Sequence, residues 1–135
     1  MKTRVEETIA RHDKGFNCAQ AVACAFAEEI GVDMETLFKA CEGFGLGMGG
    51  MNGTCGAISG AVMLAGFRNS DGNLDNPGTK ASTYQLSRAI LEKFEEKNHG
   101  TRCRDLKGVD TGCVLRSCPG CIEDAVEIVQ EVLGL

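Results

Sequence analysis

Eight cysteines in a chain of 135 residues are the side chains here most able to do chemistry. Cys55 opens the stretch Thr54-Cys55-Gly56-Ala57-Ile58-Ser59-Gly60-Ala61, which reads as the start of a helix. Unpaired N–H groups and the positive end of a helix dipole stabilise a thiolate there, and the thiolate is the form that attacks disulfides and binds metals. Cys55 is therefore singled out as the reactive cysteine. Cys118-Pro119-Gly120-Cys121 is a second feature of this kind, a C-x-x-C at the start of the last helix. It suits a dithiol or a pair of metal-ligand thiolates. Cys113, Cys118 and Cys121 together read C-x4-C-x2-C, a ferredoxin-like spacing whose fourth ligand would have to come from upstream, from Cys103, Cys55 or Cys18. Cys24 and Cys41 sit among apolar residues and read as core. Cys18 fits both a helix start and an apolar stripe.

Other chemistries find less support. Gly45-Leu46-Gly47-Met48-Gly49-Gly50 matches G-x-G-x-x-G, yet a helix-like segment precedes it where a dinucleotide site requires a strand. A steric role fits better: glycines let the chain pass close to a buried group, with Met48 and Met51 as apolar cover or core filling. His12 and His99 stand alone near helix ends and read as surface or capping residues. No C-x-x-C-H, G-x-S-x-G or Walker A sequence occurs.

The elements that must position these sulfurs are helical. Val5 and Ile9 mark a first helix ending at Gly15. Asn17 and Gln20 form a capping box for a second, with Cys18, Val22, Ala25 and Phe26 on one stripe and Gly31 at its end. Asp33 caps a third, which carries Leu37 and Cys41. Thr54 is the expected cap of a fourth, running to about Leu64 or Ala65. Arg68 to Gly78 reads as a loop, and Ser82 with Gln85 opens a long helix that Asn98-His99-Gly100 ends. One helical turn is expected at Cys103 to Leu106, and the last helix carries Ile122, Ala125, Val126, Val129, Val132 and Leu133 on one face. The expected architecture is an all-α compact bundle of five or six helices with a Gly-rich loop, in one domain over residues 1–135. The small faces of the fourth helix suit close helix packing, inside the chain or in a homodimer.

Composition narrows the partners. The net charge is −5 and aromatics are 5%, so a phosphate backbone or stacked bases are poor partners. No apolar run is long enough for membrane insertion, and Met1 to Glu7 does not read as a secretory signal, so a cytoplasmic location is expected. In a reducing compartment, clustered cysteines point to metal or redox chemistry more than to structural disulfides.

Asn17-Cys18-Ala19-Gln20-Ala21-Val22, then Gly53-Thr54-Cys55-Gly56-Ala57-Ile58-Ser59-Gly60, then Cys103-Arg104-Asp105-Leu106 and a late Cys before a Val/Ala-rich helix resemble the C_GCAxxG_C_C family of redox-active proteins. The resemblance runs from about Asn17 to Val132. It implies four principal cysteines, which fall on Cys18, Cys55, Cys103 and Cys121, with Cys113 and Cys118 as additions. A similar domain is associated with split-Soret cytochromes, where an iron–sulfur centre accompanies haem; the haem segments are absent here.

Two functions follow as expectations. In one, Cys18, Cys55, Cys103 and Cys121 hold an iron–sulfur cluster or another thiolate-bound metal for electron transfer with a redox partner protein. In the other, the protein is a thiol–disulfide oxidoreductase in which Cys55 attacks and a neighbour, Cys121 or the Cys118/Cys121 pair, resolves. A bundle that uses cysteine only as core filler is the bland third reading.

Overall fold

The computed structural model describes residues 3–135, so Met1 and Lys2 of the N-terminal reading lie outside the described residues. Eight α-helices are present among the described residues: α1 (Arg4–Lys14), α2 (Cys18–Cys24), α3 (Ala27–Ile30), α4 (Met34–Cys41), α5 (Gly56–Asn69), α6 (Lys80–Asn98), α7 (Cys103–Lys107) and α8 (Cys118–Leu133). The all-α expectation holds, with more helices than the five or six expected. One addition is α7, the turn foreseen at Cys103. The other comes from a break in the expected second helix. There Arg4 donates a guanidinium hydrogen bond to the Ala25 carbonyl and places its charge 4.4 Å from the centre of the Phe26 ring. That carbonyl is thus engaged from outside the helix, and Phe26 leaves helical geometry at φ −116°.

The capping signals act as chemistry demands. Asn17 accepts from Gln20 N–H at 2.9 Å while the Gln20 side chain accepts from Asn17 N–H at 2.9 Å. Asp33 caps α4, and Gly31 ends α3 in the left-handed conformation that glycine adopts without a Cβ penalty. Two starts differ from expectation. Thr54 pairs with Arg102 in an antiparallel bridge, so its backbone is extended and the cap of α5 passes to Cys55. The long helix starts at Lys80, two residues before Ser82, whose hydroxyl donates to the Thr79 carbonyl.

Helix α5 is the central element and packs against α2, α6 and α8. Its Ile58 and Leu64 meet Val22 and Phe26, Ile90 and Phe94, and Ile122, Val126 and Val129 in one core. A methyl group on Gly60 would lie 2.6 Å from the Ala19 carbonyl oxygen, closer than real contacts allow. The small face of α5 is thus consumed inside the chain, drawing the start of α2 onto it. Residues 70–78, between α5 and α6, are exposed.

Candidate functional site

The bundle brings the ends of four helices to one place. Cys18 opens α2, Cys55 caps α5, Cys103 opens α7, and Cys118 opens α8 with Cys121 one turn further in. All five sulfur-bearing residues line one pocket of about 180 Å³, together with His12, Leu46, Lys107 and Arg116. The four principal cysteines implied by the resemblance are therefore gathered, and Cys118 stands among them. Cys24 and Cys41 are elsewhere and buried; Cys41 Sγ lies 3.3 Å from Met63 Sδ. Cys113 is exposed. All eight cysteines are free thiols.

The backbone fixes two of these positions by direct pairing. Cys55 N–H donates to the Thr101 carbonyl at 2.7 Å, and Cys103 N–H donates to the Gly53 carbonyl at 3.0 Å. The segments before α5 and α7 are thus tied crosswise, with Cys55 and Cys103 beside the tie. The glycine-rich loop closes over Cys103. Gly47 has φ +55°, and a Cβ there would lie 2.5 Å from Cys103 Cβ. The steric reading of the loop is the one the structure supports. Between α4 and α5 the chain makes two tight turns, Glu42–Phe44 and Gly47–Met51, and three non-glycine residues (Leu46, Met48 and Met51) take positive φ. Such backbone is costly for L-residues and persists only where its surroundings hold it. Met48 does not cover the pocket; it is 54% exposed, and its Cγ packs on Gly53.

Within the pocket the thiols act on one another most directly in two pairs. Cys18 faces Cys118, and Cys55 faces Cys121. In the outer pair the neighbouring Cys18 side chain favours the Cys118 anion, and the nearby Lys107 ammonium and His12 add to the effect. These hold the Cys118 thiol down at about 5, while the same contact and burial push Cys18 up. Cys118 in turn raises the Lys107 ammonium through its negative charge. In the inner pair the neighbouring Cys121 side chain and the backbone N–H groups of Ala57 and Ile58 at the start of α5 favour the Cys55 anion. Cys55 is lowered although burial opposes it, and Cys121 is raised. Burial raises Cys103, which faces no sulfur partner of this kind.

The two pairs differ in access. Cys18 and Cys118 are half-buried, whereas Cys55 and Cys121 are 6% and 2% exposed. Ser117 caps α8 by accepting from Gly120 N–H at 3.1 Å, which puts Cys118 in the first turn where a thiolate is favoured. Arg116 lies across that turn, because a Cβ on Gly120 would sit 2.5 Å from its Nε. It is anchored by the buried Asp124, Nε to Oδ2 at 3.1 Å, which Asn98 and Lys97 also contact at 3.0 and 2.8 Å.

A protein-bound metal needs three or four donors directed at one point. Among the described residues no group of three or more His, Cys, Asp or Glu side chains is so disposed. The thiol donors are of the right chemical type, but their arrangement is pairwise. In this conformation Cys18, Cys55, Cys103 and Cys121 do not fit a metal or cluster.

A family model described as "Putative redox-active protein (C_GCAxxG_C_C)" matches residues 16–132. The chain belongs to the C_GCAxxG_C_C family. No curated protein and no solved structure matches it. The matched span takes in α2 to α7 and nearly all of α8, and so every cysteine of the pocket. A redox-active family and a pocket walled by thiols agree in kind. No helix among the described residues is long and apolar enough to cross a membrane.

Lys107, Arg116 and His12 are pocket residues that sequence reading missed. His12 reads as a surface or capping residue, yet it lines the pocket, and its Nδ1 is buried without a hydrogen-bond partner. Lys107 and His12 both act on Cys118 from other elements of the chain. Cys118 carried a signal in Ser117-Cys118-Pro119-Gly120, a cap followed by proline in the first turn.

Proposed function

We propose that this protein is a dithiol redox protein that exchanges disulfides through the pocket, with Cys118 as the entering nucleophile. The carrying observation is that the half-buried Cys18 and Cys118 line one pocket with Lys107. A thiolate poised in an electropositive, partly open site is the reactive form of cysteine. A thiol held next to it is what a resolving cysteine requires.

The chemistry balances on these two residues and a substrate disulfide. The Cys118 thiolate attacks one substrate sulfur. A bond forms between Cys118 Sγ and that sulfur, the substrate S–S bond breaks, and the other half leaves as a thiolate. Cys18 then attacks Cys118 Sγ, and the second half leaves as a thiol that takes up the proton Cys18 has lost. The substrate gains two electrons, and Cys18 and Cys118 become a disulfide. A redox partner protein would return them to thiols.

The expectation of a thiolate-bound iron–sulfur centre has the gathering of Cys18, Cys55, Cys103 and Cys121 in its favour and their pairwise arrangement against it. Anaerobic purification with iron and sulfide analysis decides between the two. A colourless, metal-free protein whose Cys118 reacts first with dithiodipyridine supports exchange. Stoichiometric iron and sulfide, lost in Cys55→Ser, overturns it.

A further inference from the structure

The pocket holds two thiol pairs where disulfide exchange needs one. Cys18 and Cys118 are half-buried and meet substrate; Cys55 and Cys121 lie almost wholly inside the same pocket wall. We propose that a disulfide made at Cys18–Cys118 is handed inward to Cys55 and Cys121, so that the outer pair is restored to thiols and one molecule takes up two disulfides. This rests on the exchange reading above.

Each step has a residue placed for it. Cys55 Sγ attacks Cys18 Sγ of the outer disulfide; the Cys55–Cys18 bond forms, the Cys18–Cys118 bond breaks, and Cys118 departs as a thiolate. Cys121 then attacks Cys55 Sγ. The Cys55–Cys121 bond forms, the Cys55–Cys18 bond breaks, and the Cys18 sulfur takes up the proton that Cys121 lost. No electron enters or leaves: the outer pair is reduced by the two electrons that the inner pair gives up. The environment of each sulfur matches its part. Cys55 caps α5, where the N–H groups of Ala57 and Ile58 favour its anion, so it is the inner nucleophile. Cys118, beside Lys107, is the better leaving group, because the sulfur most stable as an anion leaves fastest. Cys18 holds its proton most firmly of the outer two, so it is the natural acceptor from Cys121. The pairs also act on one another: Cys55 bears on Cys18, and Cys18 and Cys118 bear on Cys121.

The two cysteines of Cys118-Pro119-Gly120-Cys121 thus belong to different pairs. They face Cys18 and Cys55 in place of each other. That separation gives the site an entry and a store.

The experiment uses the full chain with the exposed Cys113 replaced (Cys113→Ser), fully reduced and kept under anaerobic conditions. One equivalent of dithiodipyridine is added, the reaction is quenched with N-ethylmaleimide at increasing times, and disulfides are mapped by peptide mass spectrometry. The expected early species carries its modification on Cys118 and the final one a Cys55–Cys121 disulfide with Cys18 and Cys118 alkylated. A final disulfide that stays on Cys18–Cys118, with Cys55 and Cys121 alkylated, overturns the relay and leaves exchange standing. Cys118 unmodified at every time overturns exchange itself. Cys18→Ser checks the route: Cys55 and Cys121 should stay reduced over the time in which the parent protein converts them. Oxidation of Cys55 and Cys121 at the parent rate in that variant overturns the handover.

Discussion

Lys107 lies against Cys118, and each stabilises the charged form of the other. The two residues come from different elements, the end of α7 and the start of α8, and the loop between them lets the ammonium reach the sulfur. With the neighbouring Cys18 and the first turn of α8, this contact favours the Cys118 anion.

Alkylation of Cys118 should therefore follow a titration with its midpoint near 5, the rate falling as pH drops through that value. Lys107→Met removes a cation from the site and should move the midpoint up by about one pH unit. Iodoacetamide rates read by mass spectrometry across pH 4 to 9 check both statements. An unchanged midpoint in the variant would remove Lys107 from the account.

Gly47 should resist any side chain. Its φ of +55° already disfavours an L-residue, and the added Cβ would meet Cys103 Cβ at 2.5 Å. Gly47→Ala is expected to cost about 2 kcal/mol. Urea denaturation gives the loss, and faster maleimide labelling of Cys103 shows that the loop has lifted.

Cys103 separates the two functional readings by its own removal. It lines the pocket but faces no partner sulfur, and burial raises its thiol. Cys103→Ser should leave reduction of dithiodipyridine unchanged within about twofold. A four-sulfur centre that included it would lose its metal in the same variant, so iron content and exchange rate measured together separate the readings.

Asp124 anchors the loop beside the pocket. Burial alone would raise its carboxyl, but Lys97, Asn98 and Arg116 outweigh that and lower it. A carboxylate lowered by folding stabilises at pH above its unfolded value, about 3.9, and that stability is lost as pH falls through the folded value. Asp124→Asn should cost about 2 kcal/mol at neutral pH. The gap between variant and parent should narrow below pH 4 in urea melts.

What was legible in the sequence was local. The box of Asn17 and Gln20, the cap at Asp33 and the stops at Gly31 and His99 each depend on neighbours within one helical turn, and each is found in the structure. The break at Phe26 was not legible, because its cause is Arg4, more than twenty residues earlier. The Cys55 cap was missed by one residue because Thr54 is taken by Arg102. The gathering of Cys18, Cys55, Cys103 and Cys121 could be expected from their types and from the family resemblance. Their sorting into Cys18 with Cys118 and Cys55 with Cys121 could not, since pairing across 100 and 66 residues is set by how α2, α5 and α8 pack, and no spacing along the chain encodes that.

Helix α5 puts its first residue at the sulfur pocket and its last, thirteen residues on, at the exposed stretch 70–78. At 1.5 Å per residue the two ends are roughly 20 Å apart. A tether, an affinity tag or a fluorescent label spliced into that stretch would sit at the pole opposite the thiols, so the molecule can be immobilised on a surface while its reactive end stays open to solution.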